Sequence, residues 1–113
     1  MAQYQYVVAH APCGPCKAGI TNNPRRRLRE LQTGSPKKLK IWLCVRIPGG
    51  AQEVERKVHT ALKPLRMEGE WFDLTVEEAV VAVRRISGLS RRWSLSAMWA
   101  RFTLDWRLRR AGA

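Results

Sequence analysis

Cys13-Gly14-Pro15-Cys16 has the spacing of a dithiol redox pair, and Glu55 and His59, four residues apart, have the spacing that brings two titratable groups to one face of a helix. A redox thiolate needs a helix N-terminus beneath it. The residues after Cys16 do not supply one: Lys17-Ala-Gly19-Ile-Thr21 runs into Asn22-Asn23-Pro24, so a helix would meet a glycine, a β-branched pair and a proline within two turns. The Cys-Gly-Pro-Cys tract reads instead as a hairpin loop between two short strands. Zinc at Cys13 and Cys16 is a lesser alternative, because two thiols need two further ligands and only His10 is close in sequence.

The sequence pattern also gives the scaffold on which these side chains sit. Tyr4 to Val8 and Lys17 to Thr21 are the two arms of the hairpin. Asn23 is an N-cap and Pro24 a first helical residue for a short basic helix carrying Leu28 and Leu31, stopped at Thr33-Gly34. Leu39, Ile41, Leu43, Val45 and Ile47 alternate as one face of a third strand, with Cys44 on the other. Ala51 to Leu62 returns to helical spacing, with Val54, Val58, Ala61 and Leu62 as its inner stripe. The Glu70-Trp71-Phe72 segment reads as a loop or a short extended piece docked on the core. Thr75 and Glu78 form a capping box for a helix to about Ile86, and a last amphipathic helix is expected from Ser90 or Ser94 to Arg110, with Leu95, Trp99, Phe102 and Trp106 at heptad-like spacing. The fold class is α+β, a small three-stranded antiparallel sheet flanked by helices plus the C-terminal helix.

Charge narrows the partners. Lys and Arg number 21 against 9 Asp and Glu, a net +12 over 113 residues, which favours polyanions. Arg25, Arg26 and Arg29, with Lys37 and Lys38 of the next loop, are the candidate phosphate contacts. No apolar run reaches the length of a bilayer span and the start of the chain lacks a secretory layout, so a cytoplasmic protein with reduced cysteines is expected. DNA is the expected partner, with RNA as the alternative. Residues 88–113 hold six Arg and one Asp. Their aromatic helix could pack on the domain, form a homodimer, or meet nucleic acid or an anionic membrane.

Taken in order, Tyr6, Lys17-Ala-Gly19-Ile-Thr21, Arg27-Leu28, Leu31-Gln-Thr-Gly34, Glu55, His59 and Gly69-Glu-Trp-Phe72 resemble the GIY-YIG endonuclease superfamily, in particular a phage and bacterial branch whose second motif begins with Lys. The resemblance spans about residues 4 to 75. It implies a nuclease domain over residues 1–87 with a C-terminal extension over 88–113, and metal-dependent hydrolysis of DNA phosphodiesters. It implies catalytic roles for Tyr6, Lys17, Arg27, Glu55 and His59, with Glu55 as the ligand for Mg2+ or Mn2+. Gly19 would allow a close approach that a Cβ would obstruct. Lys17 and Leu31 occupy places where the family pattern has a tyrosine and a histidine, which leaves Tyr6 or Lys17 as the base. The family's late asparagine has no counterpart, and Glu70 is a substitute acid. The alternatives are a non-cleaving nucleic-acid-binding protein of the same fold and a phage or host protein-interaction factor.

Overall fold

A computed structural model describes residues 2–69, 71–88 and 95–112. Four strands form one antiparallel sheet: β1 (Gln3–Ala9), β2 (Cys16–Thr21), β3 (Lys40–Ile47) and β4 (Trp71–Phe72), in the spatial order β3-β1-β2-β4. The helices are α1 (Pro24–Thr33), α2 (Ala51–Leu62), α3 (Val76–Ser87) and α4 (Leu95–Gly112), with one 3-10 turn at Lys63–Leu65. The α+β class is as expected. The sheet has one strand more than the three read from the pattern, because the Trp71-Phe72 piece pairs with Cys16 and Lys17. Glu70, Trp93 and both expected starts of the last helix, Ser90 and Ser94, lie outside the described residues.

The β1–β2 hairpin keeps strict register, with Tyr6 opposite Gly19 and Val8 opposite Lys17. Residues paired across an antiparallel ladder share a face. One face therefore carries Tyr6, Val8, Gly19 and Lys17, and the other carries Val7, Ala9, Cys16 and Ala18. The second face holds the main core, where these residues meet Val58 and Leu62 of α2, Ala79 and Val83 of α3, and Ala100 and Leu104 of α4. The first face has a thinner cover: Tyr6, Val8 and Leu39 packed by Leu28, Leu31, Ile41 and Trp71. Because β1 is covered on both sides, Gln5 to Ala9 are all buried.

The third strand departs from its expected alternation. A register shift between Val7 and Val8 puts Val7 opposite Leu43 but Val8 opposite Ile41, so Trp42 is the extra residue of a bulge. The bulge splits the set. Leu43 joins the main core, whereas Leu39 and Ile41 join the Tyr6 side. Trp42 covers its own irregularity by donating its indole N–H to the Ala9 carbonyl at 3.0 Å. On α2, Ala51, Val58 and Leu62 are the buried stripe, and Ala61 is exposed.

Local caps fix where the helices begin. Asn23 Oδ1 accepts from the Arg26 backbone N–H at 3.1 Å, with Pro24 as the first helical residue. Thr75 and Glu78 complete a reciprocal capping box at the start of α3. Glu78 is also buried and takes the Arg107 guanidinium of α4, while Arg85 pairs with Asp105 at 2.9 Å. The last helix thus packs back on α3, through a stripe of Ala100, Thr103, Leu104 and Arg107. Trp99, Phe102 and Trp106 face outward instead of lining the contact, because on a 100° helical wheel they lie on the opposite side from Ala100 and Leu104.

Candidate active site

Tyr6 projects from the middle of β1 onto the thin-cover face, and its ring lies across Gly19 of the neighbouring strand. A Cβ built on Gly19 would stand 2.7 Å from the Tyr6 hydroxyl and 3.0 Å from Cζ, so the obstruction at this glycine comes from the tyrosine ring. The Asn23 cap sets the first turn of α1, and one residue past the capped Arg26 the Arg27 side chain reaches back to the sheet. Its Nε donates to Tyr6 Oη at 3.3 Å. A second arm of Arg27 lies 3.7 Å from Glu30 in a partly solvated pair.

Lys17 stands two residues before Gly19 on the same face and is only 7% exposed. It pairs across to Val8 on one side and to Trp71 on the other, which encloses its stem in apolar side chains. Tyr6, Gly19, Lys17 and Arg27 are thus neighbours on one surface.

Glu55 and His59 approach from α2. His59 Nε2 lies 2.8 Å from the Ala18 carbonyl, one residue before Gly19 and one past the last β2 residue that β4 pairs. A carbonyl only accepts, so Nε2 carries the proton and this nitrogen cannot take one from water. The His59 ring also meets the Phe72 edge with centroids 5.3 Å apart. Glu55 Oε1 is 3.8 Å from His59 Nε2, with both side chains about one third exposed. Arg27 and Tyr6 thus meet directly on the thin-cover face, whereas Glu55 and His59 come from α2, whose Val58 and Leu62 pack on the other face of the sheet, and the link between the two groups is the β2 backbone at Ala18-Gly19. The histidine's role is to clamp α2 to β2.

Sequence reasoning missed one contributor. Gln5 is fully buried on the opposite face, where its Nε2 donates to the Gly19 carbonyl at 2.8 Å and holds the rung on which Tyr6 rests. Its Oε1 has no hydrogen-bond partner among the described residues. The signal was present as a glutamine inside a strand otherwise built of Tyr, Val and Ala, and only the two-sided burial of β1 makes it meaningful.

The basic residues expected to contact phosphate lie in two places. Arg25, Arg26 and Arg29 are exposed on α1, and Lys37 and Lys38 on the loop before β3. Lys37 lines a recess of about 200 Å³ with His10, Pro15, Ser35, Leu39 and Trp71, on the Tyr6 side of the sheet.

Cys13 and Cys16 are both free thiols in different surroundings. Cys13 is exposed, and the buried Cys16 thiol donates to the Leu74 carbonyl at 3.4 Å. Burial, reinforced by the negative charges of Glu78 and Cys13, pushes the Cys16 thiol up to about 12, and the residues from Cys16 on form strand β2, not a helix whose N-terminus could stabilise a thiolate at Cys13. A Cβ on Gly14 would collide with the same Leu74 carbonyl, and the Val76 N–H donates to the Pro12 carbonyl at 2.9 Å. The loop is a seat for residues 74–76. No group of three or more His, Cys, Asp or Glu is arranged around a common point among the described residues.

Comparison with curated proteins and with solved structures found no match. A protein-family model, described as the T5orf172 domain, matches residues 3–87, which contain every residue of the site described above. That match covers most of the chain, and the chain accordingly belongs to the T5orf172 domain family, a phage-associated family of endonuclease type.

Proposed function

We propose that this protein is a GIY-YIG-type endonuclease that hydrolyses DNA phosphodiesters with a divalent metal ion. The observation that supports this most is the direct contact of the Arg27 guanidinium with the Tyr6 phenol, beside buried Lys17 on the same face, with the partly exposed Glu55 carboxylate reaching the β2 backbone through His59. Family membership supports a nuclease or DNA-related role.

The donor set suits magnesium or manganese better than zinc. Glu55 is a single, partly solvated carboxylate, and magnesium keeps several waters while drawing its other oxygens from one or two carboxylates and the substrate phosphate. Glu55 would hold the ion, which when bound supplies charge neutralisation at the phosphate. The protein's own groups do the rest. Arg27 can donate two parallel hydrogen bonds to a phosphate and stabilise the negative charge that grows on it. We assign Tyr6 as the base: with its own proton given up to solvent, the phenolate oxygen that accepts from Arg27 can take a proton from the attacking water. Lys17 adds positive charge on the same face. Arg25, Arg26, Arg29, Lys37 and Lys38 hold the backbone without reading sequence.

The test is incubation of the purified chain with supercoiled plasmid in magnesium or manganese, beside Glu55→Ala. Nicking lost in Glu55→Ala supports the assignment, and nicking unchanged in that variant removes it. Plasmid that is bound but never nicked, with affinity falling steeply as salt rises, would mark a non-cleaving binder of the same fold.

A further inference from the structure

The outward face of α4 carries Trp99, Phe102 and Trp106, which are 67%, 58% and 47% exposed. These values are high for the largest apolar side chains in the chain, and the three stand at i, i+3 and i+7, so they form a single stripe. The Trp99 and Phe102 rings stack, with centroids 5.7 Å apart and planes 27° from parallel. The Arg110 guanidinium lies over the Trp106 ring at 4.9 Å from its centroid. By helical angle Arg109 borders the stripe on one side and Arg110 on the other. The helix is held from behind by Ala100, Leu104 and the Glu78–Arg107 and Arg85–Asp105 pairs, while Trp99 also edges a recess with Pro12, Cys13 and Thr75. All three rings lie beyond residues 3–87.

We infer that this face is a stacking platform for unpaired bases of a nucleic-acid strand. The inference rests on the nucleic-acid reading above and adds a second contact surface to it. Every base has a π-face, so aromatic rings bind single strands without reading sequence, while flanking arginines track the phosphates. From Trp99 to Trp106 the helix rises about 10.5 Å, room for two or three successive bases. Charge favours this occupant over a second copy, which would set one +12 surface against another and oppose Arg109 and Arg110 to themselves. Three rings over two turns also make a small anchor for a lipid surface.

The experiment compares the full chain with its Trp99→Ser/Trp106→Ser variant, whose fold is checked by circular dichroism. Binding of a fluorescein-labelled oligothymidylate is measured by anisotropy at fixed salt, alongside plasmid nicking, sedimentation with phosphatidylserine vesicles and analytical ultracentrifugation. The variant is expected to bind the oligonucleotide on the order of tenfold or more weakly. Nicking of duplex plasmid should persist, because neither tryptophan belongs to the Tyr6–Arg27–Glu55 site. A Phe102→Ser variant should weaken binding in the same direction. Equal oligonucleotide affinity in wild type and variants overturns the inference, as does loss of vesicle binding or of self-association with oligonucleotide binding unchanged. Stacking-dependent binding by a chain that never nicks plasmid would uphold this surface and count only against the cleavage assignment.

Discussion

Arg27 Nε donates to Tyr6 Oη across 3.3 Å, joining the first turn of α1 to the central strand of the sheet. This bond ties the guanidinium to a phenol that is itself 3% exposed and wedged over Gly19. Two side chains that would otherwise be mobile are thereby held in one orientation. Tyr6→Phe removes the acceptor but keeps the ring. Nicking should fall by about two orders of magnitude or more if Tyr6 takes the proton, while stability should fall by only about 1 kcal/mol. Plasmid nicking and urea unfolding, measured on the same preparations, check both halves.

Gly19→Ala places a methyl group where the Tyr6 hydroxyl stands. The ring cannot back away freely because Arg27 holds it, so overpacking should cost about 1–3 kcal/mol and lower nicking with it. In a Tyr6→Phe background the nearest clashing atom is absent, and the cost of Gly19→Ala should shrink. A double-mutant cycle read by chemical denaturation measures that coupling.

His59→Ala releases the Ala18 carbonyl and empties the space beside Phe72. A stability loss of about 1–3 kcal/mol is expected from the unsatisfied carbonyl and the lost ring contact. Activity should also drop, since Glu55 rides on the same helix face, but the pH profile of residual nicking should keep its shape because His59 Nε2 carries no transferred proton. A profile that flattens near neutrality in the variant would assign the histidine a proton-transfer role.

The buried Cys16 thiol gives an alkaline signature. Its folded value is raised from 9.0 to about 12 by burial, so above pH 9 the unfolded chain loses a proton that the folded chain keeps. The stabilisation is complete below about pH 9 and is lost as pH rises from there toward 12. Cys16→Ala should flatten this part of the stability curve relative to wild type. At neutral pH a thiol reagent should label exposed Cys13 well before Cys16.

Arg107→Met leaves the carboxylate of Glu78, 3% exposed, without its guanidinium, removes an ion pair that holds α4 on α3 and also releases Asp73. A cost of about 2–4 kcal/mol is expected, with the last helix exchanging its amides before the sheet does. Hydrogen exchange resolves the two.

The parts of this fold that local chemistry dictates are legible in the sequence. Asn23-Pro24 and Thr75 with Glu78 announce helix starts because caps satisfy orphan donors within a few residues. The hairpin arms come from strand-forming residues on either side of a turn tract, and the resemblance alone singles out Tyr6, Gly19 and Arg27 as companions. What escapes depends on partners far along the chain. The Trp42 bulge reflects how β3 meets β1, not any preference of Trp42 itself. The inner face of α4 misleads for a similar reason: three aromatic residues mark a stripe by size, whereas small Ala100 and long Leu104 fit the closely approaching α3. Gln5 becomes a site residue only because its strand is covered on both sides.

The seat formed by Pro12, Gly14 and Cys16 has a consequence for the newborn chain. Its guest, Leu74, emerges from the ribosome 58 residues after Cys16, so the hairpin tip stays half-built through most of synthesis. Closing so distant a contact is slow compared with winding a helix, and the loop should be among the last segments to gain protection in a refolding time course. Fragments that stop before Leu74 should leave a reactive thiol at position 16, which turns an inert side chain of the finished molecule into a built-in reporter of completion.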